Sequence, residues 1–273
     1  FRSDRFEAHI ATATTQRLVG DFDGALITLE PLLRDERFVD QLPRTRIEIA
    51  RTHELAGELE SAIYLYNELI GEEIEADAQK NPSSTQTQRT VSFTTEAQEA
   101  HYRLARIHEN TFGDLARAGA LYDVASRGRG LMADSAKTRK QDIDSWTGFH
   151  TALTDTSDST LTLRQSSILY SLGELFFFQL NDPDSSLYYF ELITTEHPKS
   201  IERPRALYAI GWILANVHGD TTAAHDVWRD LLADTTRSIL VDELQREVRT
   251  LIDGTVQVET DPAEERFQRV FAA

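Results

Sequence analysis

Five stretches of this chain repeat one spacing of small and aromatic residues, and that spacing limits the fold more than any other feature. The first runs Ala13, Gly20, Ala25, Leu29, Leu32, and the second runs Ala50, Gly57, Ala62, Tyr66, Leu69, displaced by 37 at every position. The third is Ala105, Gly113, Ala118, Tyr122, Ala125. The fourth (Gly173, Asn181, Ser186, Phe190, Ile193) and the fifth (Gly211, Gly219, Ala224, Trp228, Leu231) differ by 38 throughout. A small residue in mid-helix lets a second helix cross closely. Gly20-Asp21, Gly113-Asp114, Asn181-Asp182-Pro183 and Gly219-Asp220 read as one helix ending and the next beginning. The second small residue seats the return crossing, and the aromatic or Leu four residues later lies on the same face. Such a hairpin has an apolar face that only a neighbour can cover, so hairpins must stack.

The predicted fold is therefore all-α: a right-handed α–α superhelix of five hairpins near residues 3–37, 42–75, 95–130, 163–199 and 202–236. Two insertions interrupt it. Residues 76–94 contain the polar run DAQKNPSSTQTQRTVSF, read as an exposed loop. Residues 131–162 hold a predicted extra helix over 134–153 and a flexible acidic loop, TDTSDST. Residues 238–253 carry Ile239, Leu240, Leu244, Val248, Leu251 and Ile252 at helical spacing, as a helix capping the solenoid would. The solenoid thus occupies 1–253, leaving 254–273 as a tail with a short amphipathic helix. No segment shows convincing strand alternation; RTVSFT (89–94) comes nearest.

This pattern of small residue, Gly turn, Ala, aromatic and closing Pro198 resembles the tetratricopeptide repeat over most of residues 3–236. Within that family, LYSLGELFFFQLNDPDSSLYYFELITTEHPKS followed by RPRALYAIGWI looks like bacterial envelope proteins, including outer-membrane assembly and division-coordination lipoproteins. The sequence departs from that group in having no cysteine to carry a lipid, and in units of 37 or 38 residues rather than 34. The resemblance implies a protein-binding scaffold at the periplasmic face of the outer membrane, peripherally associated with it; otherwise a cytoplasmic setting is expected.

Composition narrows the classes of function. The 273 residues carry 45 Asp and Glu against 28 Lys and Arg, a formal charge of −17. That balance argues against nucleic acid, whose binding demands a Lys/Arg surface. No run approaches 18 apolar residues, so no membrane span is expected. Zero Cys excludes disulfides, thiolate nucleophiles and Cys-metal sites. Only four of the basic residues are lysines (Lys80, Lys137, Lys140, Lys199), and arginine is the less strongly hydrated cation. Salt adaptation and an ordinary acidic protein with codon bias both fit this composition.

Chemistry is hard to find in the sequence. His101 and His108 lie seven apart with no HExxH carboxylate pattern, and His53 and His108 fall where an aromatic usually packs inside the hairpin. Packed or hydrogen-bonded histidines are expected. GRGLMA (128–133) matches a relaxed dinucleotide fingerprint but no strand precedes it. Glu72-Glu73 and Glu264-Glu265 read as solvated carboxylates. No catalytic residue, metal site or cofactor is expected.

What remains is the face that the first helix of each hairpin turns to the concave side. Projecting the register outward from the small residue gives Ile10, Thr14 and Arg17, then Ile47, Arg51 and Glu54, in the first two hairpins. The other three give Tyr102, Arg106 and Glu109; Tyr170, Glu174 and Phe177; and Tyr208, Trp212 and Ala215. Tyr102, Tyr170 and Tyr208 hold equivalent places and should form a ladder, unless they only pad contacts between repeats. Aromatics and Arg carry binding hot spots, so Arg51, Tyr102, Arg106, Tyr170, Glu174, Phe177, Tyr208 and Trp212 are the expected contacts for a partner peptide or helix. Phe267, Val270 and Phe271 in the tail either dock on the chain's own last helices or enter a neighbour's groove, giving a homo-oligomer or filament. A third class is a glycan-acting enzyme on a helical superhelix, for which Glu174 is the one candidate acid.

Overall fold

The structure, a computed structural model, describes residues 2–80, 94–154, 161–234 and 238–253, and every regular element among them is a helix. The chain divides into two compact units, Phe1–Ile143 and Asp144–Ala273. In the first, α1 (Arg2–Leu18) pairs with α2 (Phe22–Leu29), α3 (Leu42–Ala56) with α4 (Leu59–Lys80), and α5 (Thr95–Asn110) with α6 (Leu115–Ala125). Helix α7 (Leu131–Thr154) begins in this unit and ends in the second. There α8 (Leu161–Glu174) pairs with α9 (Pro183–Glu196) and α10 (Arg203–Asn216) with α11 (Thr221–Leu232). Helix α12 (Ile239–Asp253) packs on α10 and α11, as expected of a cap. Successive hairpins touch through α2 and α3, α4 and α5, and α9 and α10, so each unit is built of stacked neighbouring pairs.

The hairpin turns form for local reasons. Gly20, Gly57, Gly113 and Gly219 sit at positive φ, where a Cβ is strained, and Asn181 fills that place in the fourth hairpin. The next helix then starts on a capping carboxylate. Asp21 accepts the N–H of Gly24, Asp114 that of Arg117, Asp182 that of Ser185 and Asp220 that of Ala223, all at 2.9–3.0 Å.

The crossings are as tight as the spacing demands. Ala13, Ala25, Ala62, Ala105, Ala118 and Ala224 are fully buried, as are Tyr66, Tyr122 and Phe190. A Cβ on Gly173 would lie 2.5 Å from the Phe190 ring, and one on Gly211 would run into the indole of Trp228. Ser186 adds a hydrogen bond from its hydroxyl to the Gly173 carbonyl, 2.8 Å.

Two departures from regularity stand out. Helix α2 is short because Pro31 has no N–H to continue it; the chain goes on as two 3-10 segments, Glu30–Arg34 and Glu36–Gln41. Helix α8 ends in a π-helical turn, Leu175–Gln179. The predicted helix over 134–153 is the body of α7. The acidic loop at 155–160, most of the polar insertion and the tail, with Phe267, Val270 and Phe271, lie outside the described residues.

Candidate functional site

In the first unit, the first helices are joined side by side by an alternating chain of charges. Arg17, at the end of α1, donates to Glu48 Oε2 of α3 (2.6 Å), to the Glu48 carbonyl (3.0 Å) and to the Thr52 hydroxyl (3.2 Å). The other oxygen of Glu48 accepts from Arg51 at 2.9 Å, and Arg51 Nε lies 3.6 Å from Glu99 on α5. Glu99 accepts from Arg103 (2.6 Å), which reaches back to Glu54 on α3 (3.1 Å). Glu54 also accepts the Tyr66 hydroxyl at 2.6 Å. The third hairpin repeats this last motif: the Tyr122 hydroxyl donates to Glu109 (2.7 Å), which pairs with Arg139 of α7. Burial pushes the Tyr66 phenol above its usual range and the nearby Glu54 charge adds to this; burial does the same to Tyr122.

Arg17 and Glu48 are both buried, so each charge depends on the other. Removing one partner of such a pair strands the other in a low-dielectric setting, which costs far more than an exposed ion pair contributes. A slide of α1 or α5 along α3 would break the contacts of this seam.

The expected partner-contacting residues divide sharply. Arg51 is a member of the seam and remains partly accessible. Tyr102 is half-buried, its ring 5.8 Å from that of Tyr122. Arg106, one turn further along α5, is exposed and has no carboxylate within ion-pair distance among the described residues. In the second unit the expectation of an exposed tyrosine ladder is corrected. Tyr208 is 1% exposed, Tyr170 6% and Trp212 8%. The register that turns a side chain away from its own hairpin turns it toward neighbouring helices, and in this unit those helices are there. The Tyr208 hydroxyl donates to Glu247 of α12 (2.9 Å), Tyr170 packs its ring 5.4 Å from Phe190, and Trp212 meets Phe177 edge-on at 5.7 Å. Phe177 stays half-buried.

Glu174 is the most perturbed carboxyl among the described residues of the second unit. It is half-buried at the end of α8, and burial pushes its pKa up to about 7, with Arg205 of α10 pulling the other way. The Arg205 guanidinium lies 6.0 Å from the Tyr170 ring centre. One turn before Tyr170, the Ser166 hydroxyl donates to Glu202, the residue just before α10, at 2.8 Å. Ser166, Tyr170 and Glu174 thus follow one face of α8 toward α10. Polar contacts between first helices recur here, with fewer formal charges than in the first unit.

Glu48, Glu99 and Arg103 were not foreseen as contributors, although Glu48/Arg51 and Glu99/Arg103 have the i,i+3 and i,i+4 spacing of helical ion pairs. Three histidines that the sequence singles out make contacts within the fold. His101 is buried, its Nδ1 2.8 Å from the Ala97 carbonyl, and burial holds its pKa below the usual value. His53 Nδ1 lies 2.6 Å from Glu58, and the His108 ring meets that of Phe112 in a tilted contact at 5.4 Å. Among the described residues no group of three His, Asp or Glu is placed to hold a metal ion, and no helix is long and apolar enough to cross a membrane. No protein-family profile matches the chain, and no curated protein shows significant similarity to it.

Proposed function

We propose that this protein is a non-catalytic helical-repeat platform that binds a partner protein, as a peptide or helix laid across its first helices. The observation that supports this is the pair Arg51 and Arg106. They hold the same register place on the adjacent helices α3 and α5, both are accessible, and Arg106 lacks an ion pair among the described residues, with Tyr102 one turn away. A guanidinium held beside an aromatic on a rigid helix is well suited to a partner carboxylate. In the second unit Glu174 and Phe177 hold the corresponding face, in place of Tyr170, Tyr208 and Trp212. The resemblance to envelope repeat proteins makes the periplasmic face of a bacterial outer membrane the proposed setting.

The test compares Arg106→Glu and Phe177→Ala with the wild type in quantitative cross-linking from the native source. Loss of a reproducible partner with unchanged circular dichroism supports the platform. An identical set of partners overturns it.

A second reading, an enzyme using Glu174, has the raised pKa behind it: a carboxyl titrating near 7 can hold a proton at neutral pH and act as a general acid. Glu174→Gln would abolish such an activity toward glycans. If that variant is indistinguishable from wild type on them, this reading is lost.

A further inference from the structure

The hairpin turns of the first unit carry apolar side chains that capping does not require and that packing leaves more than half exposed. In each turn, the two residues before the left-handed glycine hold the same two register places. Leu18 and Val19 precede Gly20, Leu55 precedes Gly57 by two, and Phe112 directly precedes Gly113. These four side chains are 82, 77, 56 and 55% exposed. A single exposed leucine is ordinary, because folded surfaces retain much apolar area. Here the first helices α1, α3 and α5 pack in sequence, so their C-terminal ends fall in one row. Neighbouring helices lie about 8–10 Å apart, which brings the four side chains into one strip along the turn edge.

The border of the strip has a definite sign. Asp21, Asp23, Glu58, Glu60 and Asp114 are all exposed at the starts of α2, α4 and α6, against one exposed arginine, Arg117. An apolar strip edged by carboxylates fits an amphipathic segment with aliphatic side chains on one face and Lys or Arg beside them. It disfavours an anionic membrane surface, which the same carboxylates would repel. We propose that the turn edge of the first unit is a second docking surface, for a basic amphipathic helix of a partner protein. This rests on the reading of the chain as a protein-binding platform but uses different residues, so the two can fail separately.

The probe is a fluorescent 14-residue helical peptide of alternating Leu and Lys faces, with its Leu/Glu counterpart as control, followed by anisotropy. The expected result is binding of the Leu/Lys peptide alone, weakened at least tenfold by Leu18→Ser/Leu55→Ser/Phe112→Ser. Asp23→Asn/Glu60→Gln, which leaves the capping aspartates in place, should weaken it several-fold, while Arg106→Glu should leave it within twofold of wild type. The proposal is overturned if the serine variant, with native circular dichroism, binds like wild type. It is equally overturned if both peptides bind alike, if phosphatidylglycerol vesicles bind this edge in place of the peptide, or if light scattering gives the mass of a dimer for the wild type and of a monomer for the serine variant.

Discussion

The ring of Phe190 stands where a Cβ on Gly173 would have to go, 2.5 Å away, and the indole of Trp228 stands in the same relation to Gly211. In the fourth and fifth hairpins the small residue and the aromatic are therefore one packing unit shared by two helices. Gly173→Ala forces the ring aside and should cost about 1–3 kcal/mol, as overpacking of a filled core does. Adding Phe190→Leu should recover part of that loss. Gly71→Ala on α4, where a Cβ would meet nothing within 4 Å, should be neutral or stabilising by up to about 1 kcal/mol. Chemical denaturation of the three variants checks this.

Arg17 and Glu48 should behave as a buried pair. Arg17→Met leaves Glu48 with Arg51 alone and should destabilise by about 3 kcal/mol. Arg17→Met/Glu48→Leu removes both charges and should regain most of it. A double variant no better than the single would show that the seam is not what joins α1 to α3.

Glu174 makes stability depend on pH with an unusual sign. Its pKa in the folded chain is raised, so the folded state binds more protons than the unfolded one between about 4.5 and 7. Its contribution to stability consequently falls as pH rises through that window. Glu174→Gln should match wild type at pH 4 and exceed it at pH 8, as measured by thermal melting. The reverse order would mean that Arg205 outweighs burial.

Salt should stabilise the chain. A formal charge of −17 repels itself across the surface, and the screening length shrinks from about 10 Å at 0.1 M to about 3 Å at 1 M salt. The buried Arg17–Glu48 pair is screened far less, so it should survive. The melting temperature should rise over that range of KCl; a flat or falling one would speak against salt adaptation.

The hairpins, their turns and the extra helix α7 were legible in the sequence because each follows from residues close along the chain: Gly20 before Asp21, Ala13 before Ala25, Gly173 before Phe190. The seam was not, because which carboxylate meets Arg17 or Arg103 depends on how far one helix slides against the next. The same blindness misplaced Tyr208. Its register place was right, but a partner from α12, far along the chain, closes over it, whereas Arg106 at the end of the same kind of projection remains open.

The most direct test of the platform is site-specific photo-cross-linking in the native source, with benzoylphenylalanine at Asn110, one turn beyond Arg106, and at Asn67 on the exposed side of α4. The account predicts one distinct adduct from position 110, absent from position 67 and abolished when Arg106→Glu is added. No adduct at 110, or the same adducts at both positions irrespective of Arg106, would contradict it.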